Sequence, residues 1–156
     1  MTITEPKANA AMLIRKPVAE VFEAIVNPGI TTKFWFTKAS DRLDSGNKVR
    51  WDWEMYGVGS DVEVTELATN ERIGMNWGEG DVTTRVEWTF TPHDTDFTFI
   101  EVTESGFTGT DDEKVAAALG STGGFSWTLA GLKAYLEFGI ELNLVRDRFP
   151  TGLTEH

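Results

Sequence analysis

Residues 47–55 read NKVRWDWEM, and from Asn47 onward the apolar period is two. Val49, Trp51, Trp53 and Met55 fall on one side of an extended chain, with Lys48, Arg50, Asp52 and Glu54 on the other, the pattern of a half-buried antiparallel strand. Further runs with strand character follow at residues 60–67, 73–77, 82–90 and 96–104. Their separators are short and rich in turn formers: Thr69 with Asn70, the glycines of residues 78–80, and residues 92–95 around Pro92 and His93. Short turns between consecutive strands predict a curled antiparallel meander.

Upstream, residues 8–15 suit a first strand, and Pro17 is placed to open the helix PVAEVFEAIVN, in which Val18, Val21, Phe22 and Ile25 form one apolar face. Asn27, Pro28 and Gly29 interrupt that pattern, and ITTKFWF reads as a short helical turn before Thr37. Downstream, acidic residues at 111–113 favour a helix start. Residues 124–138 then place Phe125, Leu129, Leu132 and Leu136 on one face, with Trp127, Gly131 and Tyr135 beside it. A long carboxy-terminal helix laid across the sheet is the expected product. Gly120, Gly123 and Gly124 weaken helix propensity and allow a break before its main part, and Gly139 is its expected stop. The tail beyond it is expected to pack through Ile140, Leu142 and Leu144. The order of elements is α+β: one domain over residues 8–150, with residues 1–7 and 151–156 expected as flexible ends.

Composition removes several functions. With 25 acidic and 14 basic residues the formal net charge is -11, which repels phosphate backbones, so nucleic acid is not an expected partner. The absence of cysteine excludes disulfides, thiolate nucleophiles and thiolate zinc sites. Only His93 and His156 offer imidazole, too few for a histidine metal cluster or a familiar hydrolytic triad. His93, set between Pro92 and Asp94, reads as an exposed turn residue. GSTGGF at residues 120–125 and GFTGT at residues 106–110 lack the lysine of a phosphate-binding loop, so neither supports ATP or GTP. No metal site and no cofactor are expected. The opening MTITEPKANAAM has neither the basic start nor the apolar run of a secretory signal, and the apolar runs are too short for a membrane span. The expectation is a cytoplasmic protein without integral membrane association.

Two groups of residues carry candidate chemistry. The first is aromatic: Phe34, Trp35, Phe36, Trp51, Trp53, Trp77 and Trp88, whose rings would stack an apolar ligand while indole N–H groups meet a polar atom, or would simply fill a core. A sheet curled around a helix leaves room for a cavity, although periodicity does not distinguish a cavity from a packed interior. The second is Glu104, which shares a strand face with Thr98, Ile100 and Val102. If that face is inward, Glu104 lies at a cavity mouth, where it would serve as a general acid or base, or only as a structural cap.

The segments PVAEVFEAIVNPGITTKFW (17–35), SGNKVRWDWEMYG (45–57), EVTESGF (101–107) and GGFSWTLAGLKAYLEFG (123–139), in this order, resemble the activator of heat-shock-protein-90 ATPase homologue family. That family lies within the START and birch-pollen-allergen-like helix-grip superfamily. The resemblance implies a helix-grip fold: a curved antiparallel sheet around a long carboxy-terminal helix, with two short helices after the first strand. It implies candidate cavity walls at Trp35, Trp51, Trp53, Phe125, Trp127, Leu132 and Leu136, and Trp77 and Phe107 join them as candidate ligand contacts; Glu104, which precedes the SGF turn, is the candidate catalytic residue. Because the superfamily hosts carriers and enzymes alike, three functions are expected. The leading one is stress-related binding of a small hydrophobic or aromatic ligand. The others are a metal-independent cyclase, dehydratase or lyase of polyketide-like substrates, and an interaction module that stimulates a chaperone ATPase. A second copy of the chain or a chaperone is the expected macromolecular partner.

Overall fold

The computed structural model describes residues 5–152; residues 1–4 and 153–156, which include most of the expected flexible ends, lie outside the described residues. Strand β1 (Ala8–Ile14) leads into α1 (Val18–Val26) and the short α2 (Pro28–Thr31). Pro17 stands at the N-cap of α1 and not at its first helical position, and Asn27 caps α2 by accepting the Gly29 backbone N–H at 2.9 Å. Strands β2 (Lys38–Ala39) and β3 (Lys48–Trp53) follow. Then come a 3-10 turn at Glu54–Tyr56, β4 (Val58–Ala68), β5 (Arg72–Glu79), β6 (Val82–His93) and β7 (Phe97–Ser105). The helix α3 (Asp111–Phe138) and the single turn α4 (Leu144–Asp147) close the chain.

All strands form one antiparallel sheet in the order β1-β7-β6-β5-β4-β3-β2. Hairpins therefore connect every neighbour from β3 to β7, and the first strand pairs with the last. A register shift between Val64 and Glu66 adds a bulge to β4, and bulges bend and twist the strand that carries them. The inward faces meet on a core that includes Ile14, Ile25, Trp51, Ile73, Met75, Trp88, Ile100 and Leu132, each at most 1 % exposed. This is the helix-grip arrangement: a half-barrel sheet holding α3.

Helix α3 also covers the free edge of β1, where unpaired backbone groups would otherwise face water. Thr122 accepts the Asn9 N–H at 3.3 Å, the Lys133 ammonium donates to the Leu13 carbonyl at 2.8 Å, and Glu137 accepts the Arg15 N–H at 2.9 Å. A reciprocal capping box of Thr110 and Glu113 starts the helix, and Gly139, at φ 68°, stops it. One glycine is dictated by contact. A Cβ on Gly131 would stand 3.2 Å from Phe34 Cβ, so its absence lets α3 approach the chain between α2 and β2.

Some local expectations are corrected. The helix runs unbroken through Gly120, Gly123 and Gly124, because the capped first turns and the buried Phe125 and Leu129 downstream hold both flanks in register. Met55 leaves the strand alternation: β3 ends at Trp53, and the chain turns through the 3-10 segment to Gly57, at φ 63°. His93 ends β6, paired opposite Phe97, so the turn itself is shorter and centres on Asp94, at φ 69°. Ile140 and Leu142 are 50 % and 47 % exposed; the tail packs through Val145 and Phe149 instead.

Candidate functional site

Trp35 follows α2 and enters the centre of the half-barrel. Its ring centroid lies 5.0 to 6.1 Å from those of Phe36, Trp51, Trp53, Trp77, Trp88 and Phe125. Trp51 stacks on Phe36 at 4.6 Å, and Trp77 stacks on Phe125 at 5.7 Å with an interplanar angle of 18°. Edge-to-face and offset contacts at these separations are the favoured aromatic geometries. Trp51, Trp88 and Phe125 are sealed inside this block. Trp53 and Trp77 are half-buried at its border.

A cavity of about 540 Å³ opens at that border. Its walls are Trp35, Trp53, Tyr56 and Val58 from the sheet side and Leu119, Gly120, Gly123, Gly124 and Trp127 from the first half of α3. The carboxy-terminal strap closes it with Val145, Arg148 and Phe149. The lining is predominantly apolar. A Cβ on Gly120 or Gly124 would meet nothing within 4 Å, so these glycines present bare backbone to open space. The strap is held by Tyr56, whose hydroxyl donates to the Val145 carbonyl, lies 2.9 Å from that of Arg146 and accepts the Phe149 N–H at 3.4 Å. Arg148 lies over the rings of Trp127 and Phe149 at 5.2 and 4.5 Å, cation–π contacts that pin the strap to α3.

Trp53 also lines a smaller cavity of about 280 Å³, together with Ser60, Trp77, Gly78, Val82, Thr84 and Glu104. Here the inward face of β7 carries Thr98, Ile100, Val102 and Glu104, all buried, as the alternation predicts. Glu104 is 4 % exposed. Its Oε2 accepts the Trp77 indole N–H at 2.9 Å and the Thr84 hydroxyl, while Oε1 is buried with no hydrogen-bond partner among the described residues. Arg42 draws Glu23 below its ordinary range; at Glu137 burial pushes upward, but the Arg15 N–H and the Lys133 ammonium together outweigh it.

The structure thus gathers Trp35, Trp53 and Trp127 on the larger cavity and Trp53, Trp77 and Glu104 on the smaller one. Trp51, Phe125 and Leu132 lie behind these walls in the core, and Leu136 packs against that core from a half-buried position. Phe107 sits apart in a small cluster with Ala8 and Ala118. Sequence reasoning missed Tyr56, Val58, Leu119, Arg148 and Phe149, and it treated the helix glycines as a weakness. Their signal was the cost itself: each glycine inside a helix is worth about 1 kcal/mol less than alanine, so three within five positions ask for a reason. Among the described residues no cluster of three His, Cys, Asp or Glu could hold a metal ion, and no helix is long and apolar enough to cross a membrane.

The model of the family "Activator of Hsp90 ATPase homolog 1-like protein" matches residues 15–137. Among solved structures, the protein SSP2350 from Staphylococcus saprophyticus is similar at 26 % identity and a TM-score of 0.73, over 87 % of this chain and 95 % of that one. DynU16, from the dynemicin biosynthetic locus, is similar at 23 % identity and a TM-score of 0.76, over 88 % of this chain but 49 % of its own length. The Aha1 dimer from Colwellia psychrerythraea is similar at 20 % identity and a TM-score of 0.72, over 85 % of this chain and 97 % of that one. No curated protein matches. The family match covers the first helix pair, strands β2 to β7 and nearly all of α3, and on that extent the chain belongs to the Activator of Hsp90 ATPase homolog 1-like family.

Proposed function

We propose that this protein binds a small, predominantly apolar or aromatic molecule in the cavity between α3 and the open end of the sheet. The supporting observation is the placement of Gly120 and Gly124 on the wall of a cavity of about 540 Å³. Helix stability is sacrificed where side chains would fill the space, and aromatic rings supply the facing walls. Trp35, Trp53 and Trp127 are the contacts assigned to the ligand. The deeper aromatic residues Trp51, Phe125 and Leu132 fix the walls in place.

The test is titration of 15N-labelled protein with 3-ethylindole, a probe with an apolar ring and no ionisable head. Saturable shifts at the indole N–H groups of Trp53 and Trp127 and at the amides of Gly120, Gly123 and Gly124 are expected, and Gly124→Leu removes them. A titration without saturable shifts at these positions overturns the reading.

The buried Glu104 favours one second reading, proton transfer to a bound polyketide-like chain in a cyclase, dehydratase or lyase reaction. Equal turnover by wild type and Glu104→Gln removes Glu104 from such a mechanism.

A further inference from the structure

Burying a carboxylate without a cation is costly, and native proteins meet that cost with paired charges, with donors to both oxygens or by keeping the carboxyl protonated. Glu104 has donors on one oxygen only. Trp77 and Thr84 both donate to Oε2, and Oε1 has no partner among the described residues. The side chain sits on the wall of the smaller cavity, where it is the single ionisable group among the lining residues. The arginines of β5 and β6 are occupied elsewhere: Arg85 contacts Thr65 and Glu87, and Arg72 pairs with Glu66 and Glu87. Around Glu104 stand indole rings instead. Trp77 and Trp53, their centroids 6.2 Å apart and their planes at 71°, offer π surface at two orientations.

A carboxylate acceptor beside indole rings is the pairing that recognises an organic ammonium, whose N–H bonds need an acceptor and whose charge is drawn to aromatic faces. A neutral hydroxyl would supply a donor to Oε1 but not the positive charge that the neighbouring indole faces attract. The net charge of -11 acts in the same direction by concentrating cations near the surface. Trp53 lines both cavities, so one molecule can place its charged end beside Glu104 and its apolar body along Trp53. We infer that the ligand of this protein is an apolar or aromatic amine, bound as its ammonium ion with an N–H donated to Glu104 Oε1. The inference rests on the proposal that the cavity binds an apolar molecule and adds the chemistry of its polar end.

Probes sharing one ring system separate the two claims: tryptamine, tryptophol and indole-3-acetate, which carry ammonium, hydroxyl and carboxylate ends, compared with 3-ethylindole. Calorimetric titration at physiological ionic strength is expected to show tryptamine binding about tenfold or more tighter than tryptophol, and indole-3-acetate weakest. Glu104→Gln is expected to bring tryptamine to the affinity of tryptophol while 3-ethylindole binds unchanged. Removing one charge from a net of -11 hardly alters the general attraction of cations, so that loss reports the local contact. If 3-ethylindole binds and tryptamine is no tighter than tryptophol, the amine assignment fails and the apolar cavity stands. If none of the probes binds, both fail. The comparison among probes on the unaltered protein is decisive even if Glu104→Gln does not fold.

Discussion

The Trp77 indole N–H donates to Glu104 Oε2 at 2.9 Å although their strands, β5 and β7, are not neighbours: β6 runs between them. Both side chains rise from the same inward face, and Thr84, opposite Trp77 on β6, completes the bridge through its hydroxyl. The pair ties the aromatic block, through the stack of Trp77 on Phe125, to the one buried carboxyl of the smaller cavity.

Trp77→Phe keeps an aromatic ring against Phe125 and removes one donor from Glu104. The expected cost is about 0.5–1.5 kcal/mol, the net contribution of a typical intramolecular hydrogen bond. Urea denaturation at neutral pH measures it. A loss within experimental error would mean that the indole N–H contributes nothing to holding Glu104.

Gly124→Ala separates stability from binding. A Cβ there meets no atom within 4 Å, so the variant gains helix propensity without a clash and is expected to be more stable by about 0.5–1 kcal/mol. The added methyl group projects into the cavity, so affinity for 3-ethylindole should fall in the same variant. Thermal unfolding and calorimetry on one preparation give both signs.

Tyr56→Phe tests the strap. The hydroxyl contacts with Val145, Arg146 and Phe149 disappear, while the ring contact with Phe149 at 5.9 Å remains. Hydrogen exchange is expected to quicken at residues 145–149 and to stay unchanged in β5, β6 and β7. Faster exchange throughout the sheet would instead show that Tyr56 supports the whole fold.

Acid sensitivity follows from Glu137 and Glu23, whose folded carboxyls titrate below their ordinary range. A depressed folded pKa stabilises the protein above the unfolded value, about 4.3 for glutamate, and that contribution is lost as pH falls through the folded value. Wild type should therefore lose stability below about pH 4.3. Glu137→Gln, less stable at pH 7 because Arg15 N–H and Lys133 lose a charged partner, should converge on wild type in acid. Urea midpoints between neutral and acid pH check the convergence.

Much of the sheet was legible because period two survives in any half-buried strand: Val49 and Trp51 on β3 and Ile100 and Val102 on β7 point inward as their alternation requires. Strand β2 was not, since two residues carry no period. The aromatic candidates were legible as a group but not as roles. Trp51 and Trp53 share one strand face, yet Trp51 is 1 % exposed under Phe36 while Trp53 borders both cavities. Their position along the strand is the only local difference, and it matters because Phe36 stacks on Trp51 at 4.6 Å while Trp53 lies where the two cavities open. Tyr56 and Phe149 stand 93 positions apart, and no local pattern announces that they meet.

By itself the sequence determined the α+β order, the antiparallel meander, the helix stop at Gly139 and the exclusion of thiolate and histidine-cluster chemistry, because periodicity, turn propensity and residue inventory are local properties. Only the tertiary structure decided where space remains between helix and sheet, which tryptophans border it, and that Glu104 keeps one oxygen without a donor. Those outcomes depend on the curvature of the sheet and on the depth at which α3 rests in it, which long-range packing sets and no window of sequence contains.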